Sequence, residues 1–368
     1  MKRFFIVAGE PSGDIHAARL MKALRNHHRD IEFVGIGGEN MKAEGLHSLI
    51  PIEQMSVVGI NEVIKKILFF REILLLCRNT LNEGNFDAFI PVDYPGFNLR
   101  LARYAKQLNI PVLYYIAPQL WAWGKNRTKK IEENVDLLLL VFPFEVDFYA
   151  ELDIKTVFVG HPLLDDPDYE KDFLPRESRD YAIAIFPGSR KQEILKHRNL
   201  VIKIIELLGK RLPEYEVRIA VTKLSHKSFY KNIMKKFPKV IISDNPKELM
   251  KKSMAGTIKT GTSNLEAALI GLPINMFYKT SYASFMFGKR VVSLEHLSLI
   301  NILLKKNIIN EYIQKDANAE AIVEDLLDII QNEKRYDDIQ TAYREIRKML
   351  GEKGASKRAA KAIFDYLQ

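Results

Sequence analysis

The chain has 368 residues, 47% hydrophobic and 27% charged, which is enough for two packed domains and too ordinary a composition for a disordered protein. A single cysteine, Cys77, excludes a disulfide framework or thiolate metal site within one chain, and no apolar run is long enough for a signal-peptide core or a membrane span. The net charge of +9 is uneven: residues 1–160 carry 19 Lys/Arg against 19 Asp/Glu and residues 161–368 carry 36 against 27, so an anionic ligand is expected in the second half, while no nucleic-acid signature is present.

The first half alternates strand and helix. Arg3 to Ala8 reads as a buried parallel-type strand, and Gly9-Glu-Pro-Ser-Gly-Asp14 turns it into a helix predicted from Ile15 to Asn26. Ser12 and Gly13 are small enough for a substrate to come close beside Glu10, Asp14 and His16, although a lone helix histidine is more often simply packed. Gly35, Gly37 and Gly38 would need glycine where Asn40 stands to form a dinucleotide fingerprint, so no nicotinamide or flavin site is expected. Further strands are predicted at Glu32–Ile36, Ala88–Val92, Val112–Ile116, Leu137–Phe142 and Thr156–Val159, the pattern of a doubly wound α/β sheet.

Asp93 follows a strand end in Pro91-Val-Asp-Tyr-Pro-Gly-Phe-Asn98, where ligands of open sheets bind. It can act as general base toward a sugar hydroxyl, or cap the helix predicted at Phe97–Gln107, a task for which Tyr94 and Asn98 compete; Asn98 is also expected among the acceptor-binding residues. Three stretches combine apolar bulk with basic residues: Val57 to Cys77, with Ile64, Ile67, Leu68, Phe69 and Phe70; Trp121 and Trp123 before Lys125 to Lys130; and Ser284 to Arg290, with Phe285 and Phe287. Such stretches suit a membrane surface or an acyl chain, with an ordinary core helix as the alternative for the first.

A Pro- and acid-rich passage, Gly160 to Pro175, reads as a linker; its Asp166-Pro-Asp168 has a proline at the centre and is not at a strand end, so no metal site is expected. A second alternating series follows, with strands at Ala182–Phe186, Val217–Val221, Val240–Ser243, Gly256–Lys259 and Ile274–Phe277. Gly188, Ser189 and Arg190 make one anion-binding turn after its first strand. Gly261, Thr262, Ser263 and Asn264 make another, where unpaired N–H groups of the following helix favour a phosphate, and Glu266 one turn on can accept two ribose hydroxyls. Residues 317–368 read as helices only.

Taken together, Ala8-Gly-Glu-Pro-Ser-Gly-Asp14, Val92-Asp-Tyr-Pro-Gly-Phe-Asn98, Ala117-Pro-Gln-Leu-Trp-Ala-Trp123, Gly160-His-Pro162, Pro187-Gly-Ser-Arg190, Gly261-Thr-Ser-Asn-Leu-Glu266 and Leu299-Ile-Asn301 resemble the lipid-A-disaccharide synthases, in that family's order. The resemblance implies a GT-B glycosyltransferase: two Rossmann-like doubly wound domains facing across a cleft, with a helical C-terminus. Residues 1–165 would bind the acceptor and 176–345 the UDP-sugar, while helices in 346–368 could return to the first domain. It would join UDP-2,3-diacylglucosamine to 2,3-diacylglucosamine 1-phosphate (lipid X) with inversion and release of UDP, without cofactor or metal, as a cytoplasmic enzyme peripheral on the inner membrane. A homodimer is one option for its assembly.

By the same resemblance, Asp93 matches the family's essential acid and Arg190 its arginine. Glu266 falls at the ribose, Thr262 and Ser263 at the diphosphate, and Asn301, Glu311 and Gln314 in the nucleotide pocket. Two positions depart from the pattern: Gly96 stands where a second acid is more frequent, and Asn264 where a small residue is usual. The other readings left open are a GT-B transferase or UDP-GlcNAc epimerase with a soluble substrate, and a non-catalytic nucleotide-sugar or membrane-binding protein.

Overall fold

The computed structural model describes all residues except 56–66, 124–127, 222–226 and 281–294. Its contacts divide the described chain into two compact units, one made of Met1–Asp166 with Leu350–Gln368, the other running from Pro167 to Met349.

The first unit holds a seven-stranded parallel sheet of β1 (Lys2–Ala8), β2 (Ile31–Gly37), β3 (Leu46–Pro51), β4 (Ala88–Val92), β5 (Leu113–Tyr115), β6 (Leu137–Leu140) and β7 (Lys155–Phe158), in the order β3-β2-β1-β4-β5-β6-β7. Its central strands are apolar on both faces because helices cover both: Phe4 to Ala8, Ala88 to Ile90 and Leu137 to Leu140 are fully buried. On one face Phe5, Val7, Phe89, Phe97, Leu101 and Leu138 join a core that also takes Ile73, Cys77 and Leu81 from the helix Ile67–Glu83.

The first helix runs Pro11–His27 and starts four residues before the position that periodicity predicts. Proline at the first helical position, with φ fixed and no N–H to lose, explains the earlier start. Glu10 is therefore its N-cap, and Ser12, Gly13 and Asp14 lie in its first turn, not in a loop. The last helix, Ala355–Leu367, packs on this first one, with Phe364 edge-on to Phe4 at 6.3 Å.

The second unit holds a six-stranded parallel sheet of β8 (Asp180–Phe186), β9 (Glu216–Ala220), β10 (Ile241–Ser243), β11 (Ser253–Lys259), β12 (Ile274–Tyr278) and β13 (Glu311–Ile313), in the order β10-β9-β8-β11-β12-β13. The helix Ala319–Gln331 packs on the helix Lys191–Arg211 and on β11 and β12. Two strands have no counterpart in the sequence reading, β3 and β13. Both are edge strands: β3 is mostly half-exposed or exposed and β13 half-exposed throughout, so neither shows the apolar run of a buried strand.

Candidate functional site

In the first unit the chemistry gathers where β1, β4 and β5 end. Ala8 pairs with Val92 and Val92 with Tyr115, so Gly9, Asp93 and Ile116 leave the sheet side by side. Three non-glycine residues here take left-handed backbone: Asp93 (φ 47), Tyr94 (φ 52) and Ile116 (φ 62). Such conformations cost free energy, most for a β-branched isoleucine, and persist only where the surroundings over-determine them, as at functional sites. Here the Asp93 N–H donates to Tyr115 O at 3.0 Å, and Tyr114 Oη and Asn98 Nδ2 each donate to the Asp93 carbonyl at 2.7 Å.

The Asp93 carboxyl group is pushed up to about 6, chiefly by burial and also by the Glu10 carboxylate, against a lowering hydrogen bond from the Tyr94 backbone. Tyr94 folds over Gly9: a Cβ on that glycine would stand 2.3 Å from the ring, and the Tyr94 hydroxyl donates to Met55 O at 2.8 Å. Glu10, Ser12 and Asp93 are half-buried and reachable.

Other expected acceptor residues are used by the protein itself. Asp14 is buried and its carboxylate accepts from the N–H groups of Gly38 (2.7 Å), Asn40 (3.1 Å) and Met41 (3.1 Å) and from Asn40 Nδ2 (2.7 Å), so it caps the helix Glu39–Ala43 instead of facing a substrate. Asn98 is fully buried, with Nδ2 also within 3.3 Å of Val7 O and 3.4 Å of Val92 O; it ties strand ends together. His16 is buried with its ring centroid 6.3 Å from that of His161, and burial lowers it to about 4, so it is a neutral packed histidine. Gly13 sits against Ala8, with ordinary contact distance for a Cβ.

Of the apolar candidates, Ile64, Phe285 and Phe287 lie outside the described residues, and Ile67 and Trp123 are described only as helical backbone. Phe69 and Phe70 pack on the core, whereas Leu68, Leu75 and Leu76 are exposed on the same helix. Trp121 is buried, not surface-facing: it is edge-on to Phe144 at 4.7 Å and donates from Nε1 to Glu145 Oε1 at 3.2 Å. Sequence reasoning missed Glu145, whose other oxygen accepts from Val141 N and Phe142 N at 3.1 and 3.0 Å, and whose burial pushes it up to about 7.

In the second unit the two anion turns come together at the ends of β8 and β11. Phe186 pairs with Ile258, and both turns need glycine backbone, Gly188 at φ 119 and Gly261 at φ 151. Ser189 and Thr262 are exposed and Arg190 and Ser263 half-buried. Asn264 is fully buried with neither Oδ1 nor Nδ2 hydrogen-bonded. Glu266, half-buried, accepts from the Tyr169 hydroxyl at 3.2 Å.

Three neighbours had no signal beyond ordinary helix or strand positions. Lys259 Nζ donates to Glu193 Oε1 at 2.9 Å, and Arg190 Nη1 stands 4.0 Å from the same oxygen. His197 holds the Pro187 loop: its Nδ1 is 2.7 Å from Pro187 O, and its Nε2 is 3.1 Å from Lys279 O and 3.4 Å from Lys279 N. Burial lowers its pKa, against the Pro187 and Lys279 main-chain contacts, which raise it.

Asn301, Glu311 and Gln314 are also held by internal bonds. Glu311 accepts from Leu297 N (2.7 Å), Ser298 N (3.0 Å) and Asn301 Nδ2 (2.9 Å); Asn301 Oδ1 accepts from Ile308 N and Ile309 N at 2.9 and 3.1 Å. Gln314 accepts from Thr280 N at 3.2 Å. The three fix the backbone between β12 and β13, and their side-chain groups are largely committed to it.

Among the described residues no cluster of His, Cys, Asp or Glu could hold a metal ion, and no helix is long and apolar enough to cross a membrane. Comparison with known proteins gives a match of residues 4–364 to the family described as lipid-A-disaccharide synthetase. The lipid-A-disaccharide synthases of Trichlorobacter lovleyi and Persephonella marina are 34% and 35% identical, covering 100% and 99% of this chain and 98% of each relative. Among solved structures, the Staphylococcus aureus MnaA–UDP complex superposes with a TM-score of 0.70 at 13% identity, covering 100% of this chain and 97% of that one. The Acinetobacter baumannii MurG structure superposes with a TM-score of 0.60 at 13% identity, covering 99% and 100%. These likenesses establish the fold, the GT-B arrangement of two parallel-sheet α/β domains.

Proposed function

The chain belongs to the lipid-A-disaccharide synthetase family, and from that premise we propose which of its residues carry out the glycosyl transfer. It is a glycosyltransferase of lipid A biosynthesis that acts on a UDP-sugar and a lipid substrate. In our reading the first unit takes the acceptor, lipid X, and the second the donor, UDP-2,3-diacylglucosamine. Asp93 removes the proton of the acceptor 6-hydroxyl as that oxygen bonds to C1 of the donor; the bond from C1 to the diphosphate oxygen breaks, the configuration at C1 inverts, and UDP leaves with the electron pair. Glu10 and Ser12 line the acceptor side.

The turns Gly188–Arg190 and Gly261–Asn264 stabilise the departing diphosphate, where negative charge grows in the transition state, and Glu266 binds the ribose. The observation that carries this reading is Asp93 itself: a carboxyl group in left-handed backbone at a strand end, with its pKa raised to about 6, which is close to working pH. Substituting Asp93→Asn and following UDP release with acylated donor and acceptor tests it. Turnover should fall by about 10²–10⁴-fold; unchanged turnover removes Asp93 from the mechanism. Equal activity on unacylated UDP-glucosamine would overturn the assignment of the acylated donor.

Membrane contact at the cytoplasmic face belongs to the same proposal and is supported by Leu68, Leu75 and Leu76, exposed on one face of the helix Ile67–Glu83 with the exposed Arg71 and Glu72 among them. Replacing the three leucines by glutamate should abolish co-sedimentation with anionic phospholipid vesicles and leave UDP binding intact. Undiminished sedimentation would exclude this face.

A further inference from the structure

Lys259 ends β11, two residues before Gly261, and its ammonium group lies 3.9 Å from where a Cβ on Gly261 would stand. It is thus at the start of the helix Thr262–Ile270, beside the N–H groups that the nucleotide reading assigns to a phosphate. Its side chain is 18% exposed and that of its partner Glu193 14%, so the pair is sheltered without being sealed off. Glu193 Oε1 faces Lys259 at 2.9 Å and Arg190 at 4.0 Å, so one carboxylate lies between a cation from each of the two turns. Burial works against the Glu193 carboxylate, but Lys259 and then Arg190 hold its pKa below the usual range, so it stays ionised and keeps both cations in place. A second, independent sign of a polar ligand is Asn264 in the first turn of that helix, fully buried with both side-chain polar atoms unpaired.

We infer that Lys259 is a binding residue for the diphosphate of the nucleotide sugar, positioned by Glu193 together with Arg190 so that two cations meet the leaving group, one from each turn. The inference rests on the reading of this unit as the UDP site. A lysine is suited to the task because its ammonium carries three donors on a flexible stem: one bond can stay on Glu193 while another reaches a phosphate oxygen.

The contact to the terminal phosphate separates UDP from UMP. Calorimetric titration of the full chain with UDP, UMP and uridine, on wild type, Lys259→Met, Lys259→Arg and the double variant Lys259→Met/Glu193→Gln, reads it directly. Wild type should prefer UDP over UMP. Lys259→Met should cut that preference about tenfold while UMP affinity stays within about twofold, and Lys259→Arg should keep most of it. The double variant removes the unpaired carboxylate, and it should lose the same preference even if the single variant folds poorly. A preference that survives in both methionine variants overturns the role of Lys259. A wild-type chain that binds no UDP overturns the nucleotide site itself.

Discussion

Asn98 Nδ2 donates to the main-chain carbonyl of Asp93 at 2.7 Å, from a side chain that is fully buried. With the Tyr114 hydroxyl on the same oxygen, it holds the left-handed turn that presents the Asp93 carboxylate. The asparagine therefore acts on the site through the backbone. Asn98→Leu removes a buried donor to three carbonyls and should cost about 1–3 kcal/mol in urea unfolding. It should also lower kcat more than it raises KM. Tyr114→Phe removes the other donor to the same oxygen, so the two effects should be non-additive in a double-mutant cycle; strict additivity would mean the two bonds do not share one task.

The raised pKa of Asp93 gives two predictions of opposite sign. As a base it works ionised, so kcat/KM should fall tenfold per pH unit below about 6, and this limb should vanish in Asp93→Asn. In stability, the folded chain holds the proton up to about pH 6 while the unfolded carboxyl releases it near its ordinary 3.8. The folded state thus binds more protons between these values, and this group's contribution to stability is lost as pH rises through them. Asp93→Asn should therefore be more stable than wild type at pH 7.5, by about 2 kcal/mol, and lose this advantage near pH 4. An inactive variant of unchanged melting temperature at both pH values would refute the desolvation argument.

The parts of the fold that are plain in the sequence are those whose cause is local. Phe4 to Ala8 and Leu137 to Leu140 are apolar at every position because both faces are covered, and glycines at 188 and 261 mark turns with left-handed backbone. What is not plain depends on partners far along the chain. Asp14 looks free in its motif, yet the amides it caps lie 24 to 27 residues on. Lys259 reads as a strand residue because Glu193, 66 positions earlier, gives it meaning only once β8 and β11 are adjacent. Trp121 suggests a membrane beside its lysines until Glu145 accepts its indole N–H. Of the four edge strands, β7 and β10 are legible but β3 and β13 are not, because Leu-His-Ser-Leu-Ile-Pro and Glu-Tyr-Ile mix polar with apolar residues and leave no apolar run.

Gly96 lies in the first turn of the helix Pro95–Gln107, exposed, and a Cβ there would meet nothing within 4 Å. The position has room for a carboxylate side chain. Gly96→Asp should stabilise the protein by about 0.5–1.5 kcal/mol, from the lower backbone entropy of the unfolded chain and from a negative charge at a helix N-terminus. A second carboxylate near Asp93 should also move the acid limb of the pH–rate profile upward. Destabilisation, or an unmoved limb, would show that the new side chain does not share the Asp93 environment.

Asp165 holds the start of the last helix of the first unit. Its Oδ1 accepts from the N–H groups of Gly354 and Ala355 at 2.7 and 2.9 Å, and its Oδ2 from Ser356 at 2.8 Å, so one carboxylate satisfies the start of the helix Ala355–Leu367. That helix buries Ile363 and Phe364 and packs on the helix Pro11–His27, whose N-terminus carries Glu10 and Ser12. Asp165→Ala leaves three donors unsatisfied and should cost about 1–2 kcal/mol. Asp165→Asn keeps one acceptor and should cost less. Hydrogen exchange should speed up first in residues 354–367, since a lost cap loosens the helix it serves before the sheet. If both variants unfold at the wild-type urea concentration with unchanged exchange, the carboxylate is dispensable and the helix is held by Ile363 and Phe364 alone.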